Sequence, residues 1–143
     1  MASDANKARS RRLYEEVFGR GNLEAADQIL AEDCISHGAS GAPTVGRDQI
    51  KRQAMLLRTA IPDLHPILHA QLAEGDLVAS RWTGEGTHTG PMMSPSGTVE
   101  PTGRPIAFDE IRIDRHVDGR IVESWFIPDR LTLWQQLGIL PSS

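Results

Sequence analysis

The strongest constraint in the sequence is a pair of strand-like runs near its carboxyl end, joined by one short turn. The run from Ile106 to Val117 alternates two sets of side chains, and the run from Arg120 to Ile127 is rich in β-branched and aromatic residues, as strands are. The pair Asp118-Gly119 between them suits a hairpin turn, in which glycine adopts a positive φ. Pro128 ends strand pairing. The sequence therefore predicts a long β-hairpin from which the chain leaves at Pro128.

Helices are predicted on both sides of the strand-forming part. Asp129 is placed to cap a short final helix from Arg130 to Leu137, and Gly138 is placed to end it. Apolar residues at helical spacing predict three earlier helices: residues 4 to 18, residues 23 to 30 with Asn22 as the cap, and a third that begins at Arg47 and is halted by Pro62.

A second hairpin is predicted from Leu64 to Thr83, around a turn at Gly75. The segment from Gly84 to Gly103 is rich in glycine and proline, which predicts an irregular loop that serves as a pocket rim or lid. Gly38 to Gly46 is also predicted to be a loop. Helices followed by antiparallel strands indicate an α+β fold, a cone-shaped barrel of three N-terminal helices on a strongly curved antiparallel sheet with a short C-terminal helix. Such a cone leaves a cavity suited to a small apolar ligand.

Size, charge and cysteine content exclude several classes of protein. The 143 residues suit a single domain, residues 1–143, and a net charge of −4 argues against a nucleic-acid partner. The single cysteine, Cys34, excludes an internal disulfide and suits a reducing cytoplasm. No apolar run is long enough to span a bilayer, so no membrane association is predicted.

Four segments resemble the SnoaL-like polyketide cyclase family of the nuclear-transport-factor-2-like superfamily: Gly86 to Gly90, Pro101 to Arg104, Val117 to Trp125, and Asp129 to Gly138. The resemblance covers nearly the whole chain. It implies the cone-shaped fold, small-molecule chemistry without metal or organic cofactor, and frequently a homodimer. Its best-known members close a polyketide ring by intramolecular aldol condensation, and others resemble hydroxylases, ester cyclases and epoxide hydrolases. Fold alone therefore does not decide the reaction.

One position departs from the ring-closing cyclases. In those enzymes an aspartate that acts as acid and base stands three residues before the aspartate that matches Asp129, and here that position is Phe126. A phenyl ring cannot carry a proton. Glu110 and Arg112 fall near positions that hold a glutamine and a histidine in the cyclases. Either another residue does the acid/base work or the chemistry differs.

Four residues are the candidates for acid/base catalysis. His37 and His88 qualify because histidine titrates near neutral pH, although a structural or exposed histidine is an equal alternative. Glu110 shares a strand face with Arg112, so the two form either a pocket pair or an ion pair at the surface or at an interface. Asp129 is either a helix cap or a residue that orients a histidine.

Apolar and polarizable side chains are predicted to line the pocket for a flat ligand, with core packing as the alternative for the two tryptophans. The predicted substrate-binding residues are Met55, Trp82, Met92, Phe108, Arg112, Trp125 and Phe126. His65, His69 and His116 are interpreted as surface residues, and the histidine spacing predicts no metal site.

These features predict a cofactor-independent acid/base enzyme that acts on a small apolar, polyketide-like metabolite by ring closure or isomerisation. The alternatives are a cofactorless hydroxylase or hydrolase of the same fold, and a small-ligand binding module without catalytic activity.

Overall fold

The centre of the fold is a curved sheet of six strands. The structure, a computed structural model, describes residues 2–38 and 41–141. The strands in chain order are β1 Leu30–His37, β2 Thr44–Val45, β3 His65–Glu74, β4 Leu77–Thr87, β5 Met92–Ser94, β6 Gly97–Val99, β7 Pro105–Val117 and β8 Arg120–Pro128. The large sheet has the order β2-β1-β8-β7-β4-β3, and β5 and β6 form a small hairpin of their own.

The predicted α+β class is confirmed, with one correction to the sheet. Strand β1 runs parallel to β8, whereas the other pairs in the sheet are antiparallel. Strands β1 and β8 lie far apart in the sequence, so no hairpin turn joins them and imposes an antiparallel direction. The sheet is therefore mostly, not wholly, antiparallel.

The two predicted hairpins build the middle of the sheet. Strands β3 and β4 meet at Gly75, and β7 and β8 meet at Asp118 and Gly119. Asp118 has a φ of 50° and Gly119 a φ of 78°, so both central residues of this turn have the positive φ that matches the twist of a hairpin. The turn chemistry read from the sequence is confirmed.

The glycine-rich segment from 84 to 103 is more regular than predicted. Strand β4 continues through its first part to Thr87, and the β5 and β6 hairpin occupies its middle. A Cβ atom on Gly84 would lie 2.9 Å from the Phe108 ring, and one on Gly86 would overlap the Ile61 side chain. These two glycines therefore lie in a strand, where the missing side chain lets neighbouring side chains pack closely, and they do not form a turn. Composition alone does not distinguish the two cases.

Four helical regions pack on one face of the sheet: α1 Ala2–Arg12, which continues as a π-helical segment Leu13–Gly19, α2 Ala25–Ile29, α3 Arg47–Ala60 and α4 Arg130–Gln136. Helix α2 is shorter than predicted and begins after Glu24 without a side-chain cap, so the capping role predicted for Asn22 is wrong. Residues 39 and 40 of the predicted loop from Gly38 to Gly46 lie outside the described residues. None of the described helices is long and apolar enough to cross a membrane.

Candidate active site

An open cavity of about 350 Å³ lies between the helices and the inner face of the sheet, the face that the helices cover. This volume is within the range of small-molecule sites. Apolar side chains from helices α3 and α4, the π-helical segment and the β5 strand form much of its wall: Leu13, Phe18, Leu56, Leu57, Met92, Met93, Leu133 and Trp134. Strands β7 and β8 contribute the polar residues Glu110, Arg112 and Ser124. The cavity therefore has apolar walls and a polar patch on the sheet.

Strand alternation decides which side chains reach this patch. Glu110, Arg112 and Asp114 are buried on the inner face of β7, while Ile111 and Ile113 between them are 48% and 37% exposed on the opposite, outer face. A charged row is thus turned inward and an aliphatic row outward. Because buried charges need partners, each member of the row must be paired or hydrogen-bonded.

Arg112 is the shared partner of the two carboxylates in this row. Its Nη1 atom lies 3.5 Å from Glu110 Oε1, and its Nη2 atom lies 3.8 Å from Asp114 Oδ1. Burial lowers the pKa of Arg112, but the carboxylates of Asp114 and Glu110 outweigh burial, and the pKa is raised overall. Both distances exceed those of a tight charge-assisted hydrogen bond, about 2.7–2.9 Å. The guanidinium is therefore a fixed cation that can still donate to a ligand.

Three aromatic rings surround the same guanidinium. Its central carbon lies 5.3 Å from the centre of the Phe126 ring, 5.7 Å from that of Tyr14 and 5.9 Å from that of Phe18. Aromatic faces attract cations at such distances. Phe126 itself lines the cavity, so a phenyl ring lies where the ring-closing cyclases are expected to carry their aspartate.

Tyr14 is a polar residue of this site that the sequence analysis did not name as a candidate. It lines the cavity from the π-helical segment, and its ring lies 4.8 Å from that of Trp82. Burial raises the pKa of the Tyr14 phenol well above its ordinary value, and the nearby Glu110 carboxylate raises it further. The phenol therefore stays protonated and can donate a hydrogen bond. The sequence did contain a signal for Tyr14: it is the single tyrosine of the chain and lies among apolar residues at helical spacing. A buried tyrosine hydroxyl needs a hydrogen-bond partner, which indicates a polar site nearby.

Beyond Arg112, the inner row of β7 continues to Asp114 and His116. The hydroxyl of Ser124 donates to Asp114 Oδ1 at 2.6 Å. His116 is buried, so its interpretation as a surface residue is wrong, because α1 covers this end of the strand. Its Nδ1 atom lies 3.0 Å from Arg9 Nη1 and its Nε2 atom 3.0 Å from Ser10 Oγ. Since arginine only donates, we assign the ring proton to Nε2.

Neither of the two histidines predicted to carry protons lines the cavity. His37 lies on the outer face, where Nε2 is 2.7 Å from Glu123 Oε2 and the ring stacks on Trp125 with centres 5.4 Å apart. His88 is fully buried, and its Nδ1 accepts from the backbone N–H of Thr102 at 3.2 Å. Its Nε2 atom has no hydrogen-bond partner among the described residues. The expected position of both rings at the cavity mouth is therefore corrected, because strand alternation turns His37 outward and the loop at Thr102 encloses His88.

Asp129 is an exposed helix cap. Its carboxylate accepts from the backbone N–H of Thr132 at 3.1 Å and from the Thr132 hydroxyl at 2.6 Å. The bonds from Thr132 lower the pKa of Asp129. The capping alternative thus describes its position, and the carboxylate does not line the cavity.

The predicted substrate-binding residues divide into two groups. Those that line the cavity are Met92, Phe108, Arg112 and Phe126. The other three do not. Met55 is 54% exposed on α3, Trp125 lies on the outer sheet face because Ser124 and Phe126 point inward, and Trp82 is buried behind Tyr14. Within residues 2–38 and 41–141, no three His, Cys, Asp or Glu residues are grouped as a metal site requires.

An α+β fold with an open, mostly apolar cavity and a charged patch on its sheet has the architecture of small-molecule sites. The SnoaL-like polyketide cyclase family matches residues 8–137, and the chain belongs to this family.

Solved structures of related proteins cover nearly all of the chain. IdmH from Streptomyces antibioticus, named as a candidate polyketide cyclase, is 32% identical with a TM-score of 0.78, covering 93% of this chain and 98% of its own. AclR from Streptomyces galilaeus, named as a candidate hydroxylase, is 26% identical with a TM-score of 0.84, covering 99% of this chain and 85% of its own. A candidate SnoaL-like polyketide cyclase from Jannaschia sp. CCS1 is 20% identical with a TM-score of 0.87, covering 97% and 95%. The comparison with curated proteins gave no match.

Proposed function

We propose that this protein is a cofactor-independent acid/base enzyme of the cytoplasm, which forms an enolate from a small, mostly apolar, polyketide-like metabolite and so closes a ring or isomerises the ligand. The observation that carries the proposal is the buried pair of Glu110 and Arg112 at the polar patch of an apolar cavity. The single cysteine, Cys34, is buried and free, which agrees with a reducing compartment.

Glu110 is the proposed base. Its carboxylate lies in the cavity wall, where it can accept a proton from the carbon next to a ligand carbonyl. Arg112 is the proposed electrophile, because a fixed cation beside the carbonyl oxygen stabilises the negative charge that develops there. Tyr14 lines the same cavity, and its protonated phenol is the proposed hydrogen-bond donor. These three side chains supply a base, a cation and a donor, so the proposed enolisation needs no added group.

The test uses proton exchange, which does not require the natural substrate. We expect the protein to accelerate exchange of the α-protons of 2-tetralone in deuterated buffer containing a chelator, followed by NMR. Glu110→Gln lowers the enzymatic rate by about a hundredfold or more, since general-base catalysis contributes about 10²–10⁴-fold. Glu85→Gln, at an exposed position outside the cavity, is the matched control and leaves the rate unchanged.

The competing function is that of a binding module without catalytic activity, which the phenyl ring of Phe126 in the cavity favours. Binding of 2-tetralone without accelerated exchange would support the module and reject the enzyme. Equal exchange rates for wild type and Glu110→Gln would reject Glu110 as the base.

We also propose that a second copy of the chain covers the outer face of the sheet. An outer patch of exposed apolar side chains lies there: Leu72, Ile111, Ile113, Trp125 and Ile127. Ile111 pairs with Ile127 and Ile113 with Trp125 across β7 and β8, so the patch is continuous. Exposed apolar patches of this kind mark interaction sites, and a symmetric dimer would bury the patch against itself.

The dimer is tested by sedimentation equilibrium at micromolar concentration. We expect a dimer for the wild type and a monomer for Ile113→Asp, because a charge at the centre of the patch would be desolvated on association. Leu131→Asp is the control, since Leu131 is 60% exposed on α4 and away from the sheet face. A monomeric wild type would reject the proposed dimer.

A further inference from the structure

We propose that Ser124, held by Asp114, is the residue that selects ligands carrying a hydroxyl group. This inference rests on the proposed function, because it assumes that an apolar ligand enters the cavity. It concerns recognition and adds two residues that the proposed acid/base chemistry does not use.

The hydroxyl proton of Ser124 is held in a hydrogen bond to Asp114. Ser124 is 3% exposed, lines the cavity from β8 and donates its single hydroxyl proton to Asp114 Oδ1 at 2.6 Å. Asp114 is directly opposite on β7 and only 1% exposed, so its carboxylate has little access to water. A hydrogen bond from a neutral hydroxyl to a carboxylate is stronger than one between two neutral groups. The serine proton is therefore not free to turn toward a ligand.

A serine hydroxyl has one proton and two lone pairs. With the proton held by Asp114, the oxygen presents only lone pairs to the cavity. It accepts from a ligand O–H group and offers nothing to a carbonyl or an ether. The negative charge of Asp114 polarises the hydroxyl and strengthens it as an acceptor.

Asp114 and Ser124 have separate roles. Asp114 does not line the cavity, and its Oδ1 atom also lies 3.8 Å from Arg112 Nη2. Asp114 is thus a positioning residue that fixes the direction of the Ser124 hydroxyl. Ser124 is the residue that contacts the ligand. Arg112, on the other side of the same carboxylate oxygen, presents donors, so the patch offers both an acceptor and a donor to an oxygenated ligand.

The experiment compares two probes that differ by methylation of one hydroxyl group, which removes the O–H donor: 2-naphthol and 2-methoxynaphthalene, by calorimetric titration. Wild type is expected to bind 2-naphthol about tenfold more tightly or better, since a hydrogen bond to a charged or charge-supported group is worth about 1.5–3 kcal/mol. Ser124→Ala reduces the preference to within about twofold by weakening 2-naphthol alone. Ser124→Thr, which keeps the hydroxyl, retains the preference for 2-naphthol. Ser80→Ala, at a buried serine outside the cavity, is the control and leaves the preference unchanged.

A second variant covers a folding failure. If Ser124→Ala does not fold, Ser124→Cys takes its place, because a thiol is a weak hydrogen-bond partner and the preference falls there too. The inference is overturned if wild type binds both probes equally, or if the preference persists in the alanine or cysteine variant. It is also overturned if the preference disappears in Glu110→Gln but not in the Ser124 variants, which would assign it to Glu110. If wild type binds neither probe, the proposed ligand cavity fails, and this inference fails with it.

Discussion

Replacement of Arg112 by methionine is the most direct test of the buried charge row. Methionine keeps much of the side-chain length but removes the cation that lies between the carboxylates of Glu110 and Asp114. Breaking a buried ion group by removing one partner costs about 3–5 kcal/mol, because the remaining charges are left uncompensated. For a chain of this size each kcal/mol lowers Tm by about 3 °C, so we expect a loss of about 10–15 °C at neutral pH.

A second substitution at the same position distinguishes charge from packing. Arg112→Lys keeps a cation beside the carboxylates of Glu110 and Asp114, so it is expected to retain more stability than Arg112→Met, measured by thermal unfolding with circular dichroism. Arg115→Met is the matched control. Arg115 pairs with Glu123 on the outer face and is 38% exposed, so its loss costs about 1 kcal/mol or less. A Tm loss for Arg112→Met that matched the control, or one that Arg112→Lys shared in full, would refute the charge-row reasoning.

Three further predictions concern stability and are checked by thermal unfolding. Burial lowers the pKa of His116, so the unfolded chain takes up the proton first as the pH falls. Stability from the neutral ring is therefore complete above its ordinary pKa of 6.5 and is lost progressively below it. His116→Gln, which can still accept a hydrogen bond from Arg9, is expected to make Tm less dependent on pH below 6.5, whereas the exposed control His65→Gln is not. An unchanged pH profile of Tm in His116→Gln would contradict the role of the buried ring. Asp129→Ala loses the α4 cap at a cost of about 1 kcal/mol, while Asp129→Asn keeps an acceptor and loses only a few tenths; equal losses would reject the cap. Gly90→Ala places a Cβ atom against the backbone carbonyl of Thr59 and costs about 3 kcal/mol, so an unchanged Tm would show that this contact can relax.

Much of the fold could be read from local signals. The turns at Gly75 and at Asp118 and Gly119, the Asp129 cap and the helical spacing from Arg47 each depend on residues close in sequence. The segment from Gly84 to Gly103 could not be read in this way. Two of its glycines leave room for side chains that are distant in sequence, such as Phe108. Part of a segment with a loop-like composition is therefore a strand.

The candidate site could be read only in part. Alternation along β7 already put Glu110 and Arg112 on one face, and both line the cavity. The same alternation could not say which face the helices cover. For that reason the sequence could not exclude His37 from the cavity or reveal that Tyr14 reaches it from a helix.

By itself the sequence determined the alternation, the turns and the family, because these depend on neighbouring residues and on motif order. Only the tertiary structure decided that the charged row of β7 is turned inward and the aliphatic row outward. The physical reason is that a strand with charges on one face and isoleucines on the other can be buried either way. Here Arg112 lies beside both buried carboxylates and Ser124 donates to one of them, which makes the polar face tolerable inside, and the outer isoleucines remain exposed within the chain.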